Sequence, residues 1–391
     1  MLRLESICWP VGQGLFSELR LYRCEEIIFR LVYDCGTESK LLQSSKDKLF
    51  NNEKANDHGI DILVISHLHS DHISLIPKLK DSVKNKIRNV WLPYIAPVSK
   101  NLTLLPFYWS LPIDFSDDYF DLLQIIQNPS SYFSESIINF IGDENEFVYR
   151  PGELEFSIYA TNILNNDDFN AKALTYPSNN FPFFRIFTWN HKVDNTKITA
   201  LDKDITRLLG KPLDIQENRI EMNEIVKAVN EKKLQLQNIY RRVNRNLNNT
   251  SLGLLFEIDN KTEILELCKR GFCPKHSDIP NKYHCCYTKE IKSNVNLLHL
   301  GDMESLVLEL MLNDLGFSNK LGDTIYWQVP HHGAKSSFSK NLYDKLVNAE
   351  SNIACGIDNK HKHPSFDVVD ETKSNIIHQY SKPCRNSYLI I

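Results

Sequence analysis

A chain of 391 residues, 42% of them hydrophobic, can bury a large core, so its composition excludes a disordered or fibrous protein and leaves room for one large domain or two ordinary ones. Charged residues make up 24% and the formal net charge is −4, which excludes an overall basic field but leaves a local patch open. The N-terminus has no basic stretch ahead of a long apolar one, and no window approaches ~18 uninterrupted apolar residues, so a soluble, cytoplasmic protein with no membrane contact is expected. Nine cysteines, an odd count without an export signal, are expected to be free thiols, with metal binding open for a central cluster.

Residues 2 to 9 and 15 to 33 read as short strands of mixed pattern, broken by Pro10-Val11-Gly12-Gln13-Gly14. The second ends as Leu31-Val32-Tyr33-Asp34-Cys35-Gly36-Thr37. Asp34 can orient a ligand on a neighbouring strand from behind, although Asp close to Gly is also ordinary turn chemistry. Ile62-Leu63-Val64-Ile65 then reads as a buried strand, and four potential metal ligands, His67, His69, Asp71 and His72, follow it directly. His67 and His69 are two apart on extended backbone and point the same way, while Asp71 and His72 fall on the turn into a helix marked by Ile73, Leu75, Ile76 and Leu79. That arrangement suits two adjacent ions, one on the His pair and one on the Asp-His pair, with water between them. The bland alternative is a polar turn that happens to be rich in histidine.

His-x-His-x-Asp-His after an apolar strand resembles the signature of the metallo-β-lactamase fold. The resemblance implies an α/β protein, an αββα four-layer sandwich of a metal-dependent hydrolase, here with a large, mostly helical or irregular insertion. Val11-Gly12-Gln13-Gly14 together with Tyr33-Asp34-Cys35-Gly36-Thr37 resembles the start of the soluble nuclease-like domain of ComEC-type DNA-uptake proteins, one branch of that superfamily. Residues 1–100 are then the N-terminal half of the fold and 101–247 the insertion, a surface on which a protein partner could dock. Residues 248–391 form the C-terminal half, with a Cys/His-rich insert at 261–290.

Between 101 and 200, six prolines argue against long helices, and Phe107, Tyr108, Trp109, Phe115, Tyr119 and Phe120 form either local core or a stacking platform for bases. From Asp214 to Asn248 apolar residues recur at three-four spacing, which predicts one long amphipathic helix. Its Lys232, Lys233, Arg241, Arg242 and Arg245 are either a solvated face or contacts for a nucleic-acid backbone. Asn248-Asn249-Thr250-Ser251 leads into an apolar strand and again resembles the ComEC branch, at the place where many relatives supply a further His ligand. No such histidine is visible, and His191 is the one upstream candidate. Cys268, Cys273, Cys285 and Cys286, with His276 and His284, could close a third, structural zinc site, although their spacing fits no common zinc pattern.

Leu297-Leu298-His299-Leu300-Gly301-Asp302 delivers Asp302 where the superfamily places its metal-bridging carboxylate. His331-His332-Gly333 with Ser337 resembles a further motif of the ComEC branch, except that Ala334 stands where a serine is usual. His363-Pro364-Ser365, after the strand Ile353 to Asp358, resembles its last motif and places His363 near the second ion, with His361 competing. The resemblance thus implies two divalent ions, zinc or manganese, held by His67, His69, Asp71, His72, Asp302 and His363. Asp34, Ser251 and Ser337 would stand behind these ligands, and Asp71, His331 and His332 would act in catalysis. A bridging water would be the nucleophile and a phosphodiester of DNA or RNA the substrate, with defence against foreign DNA a further expectation from the family. A hydrolase of a small ester, lactone or phosphoester, and a metal-binding partner protein without turnover, are the other readings.

Overall fold

The computed structural model describes residues 2–93 (except 24 and 52), 104–105, 108, 118–141, 157–161, 171–175, 184–189, 195–211, 213, 219–243, 251–258, 264–267, 290–291 and 295–390 (except 358 and 360). The chain first forms β1 (Leu2–Cys8), β2 (Phe16–Arg23), β3 (Glu26–Cys35), β4 (Ile60–Val64), β5 (Ile87–Pro93) and β6 (Ile137–Ile141). β7 (Ser157–Thr161), β8 (Ala171–Thr175), β9 (Phe184–Trp189), β10 (Gly253–Ile258), β11 (Ile264–Leu267) and β12 (Glu290–Ile291) follow. β13 (Val295–His299), β14 (Thr324–Gln328), β15 (Glu350–Ala354), β16 (Asn375–Ile377) and β17 (Cys384–Ile390) end the series. One sheet runs β12-β11-β17-β1-β2-β3-β4-β5-β6 and the other β16-β15-β14-β13-β10-β9-β8-β7.

Strand alternation assigns the side chains to layers. Leu31, Tyr33, Ile62 and Val64 point into the core between the sheets, together with Leu254, Phe256 and Leu297 from the other side. Their neighbours Val32, Leu63 and Ile65 face outward onto helices, as do Leu255 and Leu298 on the second sheet. Every residue of β4 is buried, because both faces of this parallel strand are covered. The first sheet is covered by Leu49, Ile76, Leu122, Leu201, Ile225 and Leu236 from successive helices. Helices Ser305–Asn313, Lys340–Leu346 and Phe366–Thr372 cover the second through Leu308, Met311, Leu342 and Val368. Two sheets between two helical layers are the αββα architecture expected from the sequence.

Within 101–247, β6 pairs with β5 in the first sheet and β7, β8 and β9 extend the second. The segment is therefore woven into both sheets as well as carrying helices. The single helix expected over Asp214 to Asn248 is two, Arg219–Glu231 and Lys233–Val243, broken at Lys232. The buried positions keep helical spacing across the break, Val229, Leu236 and Tyr240 being buried while Leu234 is 77% exposed. Lys232 donates to the carbonyl of Leu208, Arg242 pairs with Asp204 at 3.4 Å, and Lys233 and Arg241 are exposed. Tyr108 is core. Phe107, Trp109, Phe115, His191, Arg245 and the four cysteines of the expected zinc site lie outside the described residues, and the side chains of Tyr119 and Phe120 are not described. No helix among the described residues is long and apolar enough to cross a membrane.

His299, fully buried at the end of β13, stacks on Tyr33 with ring centroids 4.9 Å apart, and neither of its ring nitrogens has a hydrogen-bond partner among the described residues. Burial pushes its pKa down from 6.5 to about 3. The proton is therefore taken up by the unfolded chain first, and stability present above pH 6.5 is lost as the pH falls toward about 3. His299→Phe keeps the ring stack and removes the titration. In urea melts it should match or exceed the wild type at pH 7 and lose about 3 kcal/mol less on going to pH 4. Equal losses in the two proteins would show that His299 is not held neutral.

Candidate metal centre

The ends of several strands meet at one edge of the sandwich. β3 delivers Asp34, β4 delivers Ser66 and His67, β13 delivers Asp302, and β14 delivers His331 and His332, while Ser251 leads into β10. Close backbone packing requires two glycines here. A Cβ on Gly36 would lie 2.5 Å from the backbone of Asp71 and His72. Gly301 has φ +55, and its Cβ would meet Ser66 and Ser251 at 3.0 Å, so the His motif and the Asp302 turn approach each other with no side chain between them.

Two groups of candidate ligands result, Asp71, His72, Asp302 and His332 in one and His67, His69 and Asp302 in the other. Within each, the ligand atoms lie inside 4.8 Å of one another. Asp302 belongs to both. Its Oδ1 is 3.1 Å from His72 Nε2 and 4.0 Å from His332 Nε2, while its Oδ2 is 3.8 Å from His67 Nε2 and 3.8 Å from His331 Nε2. His332 Nε2 is 3.0 Å from Asp71 Oδ2, and His67 Nε2 is 3.1 Å from His69 Nδ1.

The supporting contacts fix which nitrogen each ring presents. His72 donates from Nδ1 to Asp34 Oδ2 at 2.8 Å, and the same carboxylate accepts Ser66 N–H and Ser66 O–H, each at 2.7 Å. His72 Nε2 is thereby aimed into the site, where it is buried, 3.1 Å from Asp302 Oδ1, and makes no well-aligned hydrogen bond among the described residues. His332 donates from Nδ1 to the carbonyl of Ala354 at 2.9 Å, leaving Nε2 inward. His67 Nδ1 lies 3.0 Å from Ser66 Oγ and 3.3 Å from Ser251 Oγ, and Ser251 Oγ accepts the N–H of Asp302 at 3.1 Å. Ser337 Oγ is 3.1 Å from His331 Nδ1.

Charges follow the same division. Burial opposes the charged form of His72, but Asp302, Asp71 and Asp34 outweigh it and hold its pKa well above the ordinary value. His332 is raised, against burial, by Asp302 and Asp71. Asp302 and Asp71 are lowered despite burial, through the surrounding imidazoles, and burial raises Asp34. Burial lowers His67, His69 and His331. Three buried carboxylates around converging imidazole nitrogens fit a divalent cation.

The sequence-stated positions Asp34, His67, His69, Asp71, His72, Ser251, Asp302, His331, His332 and Ser337 thus come to one place. His363 does not join either ligand group. Its ring stands 5.2 Å from that of His331, and His332, read from sequence as catalytic, occupies the fourth corner beside Asp71, His72 and Asp302. Ser66 was missed, although its place between the apolar run and His67 was a usable signal.

The model of the metallo-beta-lactamase superfamily matches residues 29–127, from within β3 to the helix Asp118–Gln127, and includes the His67 to His72 motif. Over those residues the chain is similar to the metallo-beta-lactamase superfamily domain. No curated protein matches the chain. Asp302 and His332 lie beyond the matched residues, so their part in the centre rests on the geometry above. The superfamily is one of hydrolytic enzymes that bind divalent metals, and the buried His/Asp cluster could hold such an ion.

Asp34→Asn should weaken divalent-metal affinity about 10–100-fold, because an amide cannot accept from Ser66 and His72 as the carboxylate does. Titration of the metal-free protein with manganese or zinc measures this. Unaltered affinity would mean that Asp34 does not orient His72 toward a metal.

Proposed function

We propose that this protein is a metal-dependent phosphodiesterase acting on nucleic acid. The observation that carries the reading is the division of the Asp302 carboxylate, one oxygen toward His72 and His332 and the other toward His67. That division suits two divalent ions, zinc or manganese, one held by His67, His69 and Asp302 and the other by Asp71, His72, His332 and Asp302. Ions so held would supply a water of lowered pKa and polarise the oxygens of the scissile group. The His67/His69 half has one ligand fewer than the other, which favours a manganese-tolerant site over a tightly held zinc pair.

The chain's own residues do the rest. Asp34, Ser66 and Ser251 fix ring orientation behind the ligands. His331 is the half-open member, 20% exposed, with Nε2 facing the centre and Nδ1 beside the Ser337 hydroxyl. If Ser337 donates to Nδ1, Nε2 carries the hydrogen and can donate a hydrogen bond to the departing oxygen. The order of motifs, which resembles the ComEC branch, supports nucleic acid over a small ester as substrate. Of the basic residues expected to track a backbone, Lys233 and Arg241 are exposed, whereas Lys232 and Arg242 are engaged with Leu208 and Asp204.

Asp302→Asn should lower turnover of a chromogenic phosphodiester at least about hundredfold while leaving the melting temperature within a few degrees. Wild-type turnover in that variant would overturn the dinuclear reading. Binding of single-stranded DNA to the metal-loaded protein should weaken steeply with salt, since each phosphate contact contributes roughly 0.7 to the log–log slope. Affinity that ignores salt would point to a small neutral substrate.

A further inference from the structure

Outside the ligand groups, a row of imidazoles leads from the centre to the surface. It begins at His331, whose Nε2 is 3.8 Å from Asp302 Oδ2. His363 follows with ring centroids 5.2 Å apart and planes at 63°, and then His361 at 5.8 Å and 14°, nearly stacked. The side chain of His361 is 46% exposed.

The loop that carries the row is built to hold it. Asn359 Oδ1 accepts the backbone N–H of His363 at 2.9 Å, and Asn359 Nδ2 donates to the carbonyls of His363 and of Gly356, the latter at 2.7 Å. Gly356 N–H donates to Gln13 Oε1 at 3.3 Å, and Ser365 N–H donates to the Gly333 carbonyl at 2.9 Å. A Cβ on Gly333 would lie 2.8 Å from Pro364, so the loop rests directly on the His-His-Gly turn. Backbone bonds position His363, and its ring has no hydrogen bond among the described residues.

The row does not form a further metal site, because neither His361 nor His363 belongs to any candidate ligand group among the described residues. A carboxylate, that of Glu38, stands 3.8 Å from His361 Nε2 at its outer end. An anion seated against these rings would accept their N–H groups. Lys362, between the two histidines in sequence, is exposed. The two ring steps of 5.2 and 5.8 Å lead outward from His331 to the exposed His361.

We propose that His363 and His361 bind the phosphate next to the scissile one, so that the site selects a chain of phosphodiesters over a single diester. This rests on the phosphodiesterase reading above. The occupant is a nucleic-acid strand, recognised through its backbone.

The test compares the wild type, H361A/H363A and H361N/H363N, all metal-loaded, on a short single-stranded oligonucleotide and on bis(p-nitrophenyl) phosphate, with metal content measured for each. The alanine pair should raise KM for the oligonucleotide about tenfold or more relative to KM for the small diester, with metal content unchanged. The asparagine pair, which restores an N–H donor at each position, should recover part of that selectivity. Loss of an ion from the alanine pair would make His363 a ligand and overturn the proposal. An unchanged ratio of the two KM values, or a loss shared equally by both substrates, would also overturn it. A wild type that cleaves neither phosphodiester would instead defeat the underlying reading, and the proposal with it.

Discussion

Asp302 has two oxygens that face two sets of imidazoles, and this works only if both sheets are held in one relative position. His67, His69, Asp71 and His72 come from the first sheet and its following turn, whereas Asp302 and His332 come from the second. The distance between sheets is set by apolar packing of residues such as Tyr33, Val64, Phe256 and Leu297. Polar bonds then fix the register. Tyr33 O–H donates to the carbonyl of Leu252 at 2.6 Å, Leu252 N–H donates to Ser66 at 2.8 Å, and His331 N–H donates to Gly301 at 3.0 Å. These three bonds join the strands that carry the ligands to one another, so the inter-sheet core and the centre are parts of one construction.

The electrostatics make the two halves of the centre unequal. His67 and His69 are held neutral by burial, so a cation arriving there meets nitrogens already free to bind. Asp302, Asp71 and Asp34 shift His72 toward its protonated form, and Asp302 and Asp71 do the same for His332, so a cation on that side competes with protons. Occupation of the Asp71, His72 and His332 half is therefore coupled to proton release. Asp34 stays behind His72 in either case, with its burial cost offset by the imidazole and by both donors of Ser66.

Much of this was legible because the chain writes half of the ligands in one place. A β-branched strand running straight into His67, His69, Asp71 and His72 is a local signal, and the strand's complete burial follows from its apolar run. Ser251, Asp302 and Ser337 needed the family's order of motifs, since each is unremarkable by itself. The role of His332 was not legible, because two adjacent histidines have the same chemistry and only backbone conformation separates them. The break at Lys232 was hidden by an apolar pattern that continues through it, and β6 to β9 were hidden among prolines and aromatics that read as irregular chain.

That conformation is unusual. His331, His332 and Gly333 have φ of 50°, 54° and 75°, three successive residues in the left-handed region, two of them with side chains that ordinarily avoid it. A left-handed residue of this kind costs about 1–2 kcal/mol, so the turn persists only where its surroundings over-determine it. They do so here: His331 N–H is bound by Gly301, the His332 ring by Ala354, and the Gly333 carbonyl by Ser365. The effect is to send neighbouring imidazoles to different tasks. His332 is buried against Asp71, while His331 remains part-exposed beside Ser337 and at the head of the row through His363 to His361. A regular helix or strand would have turned one of the pair away from the centre altogether. The strained turn keeps both rings at the centre, one inside it and one at its open side.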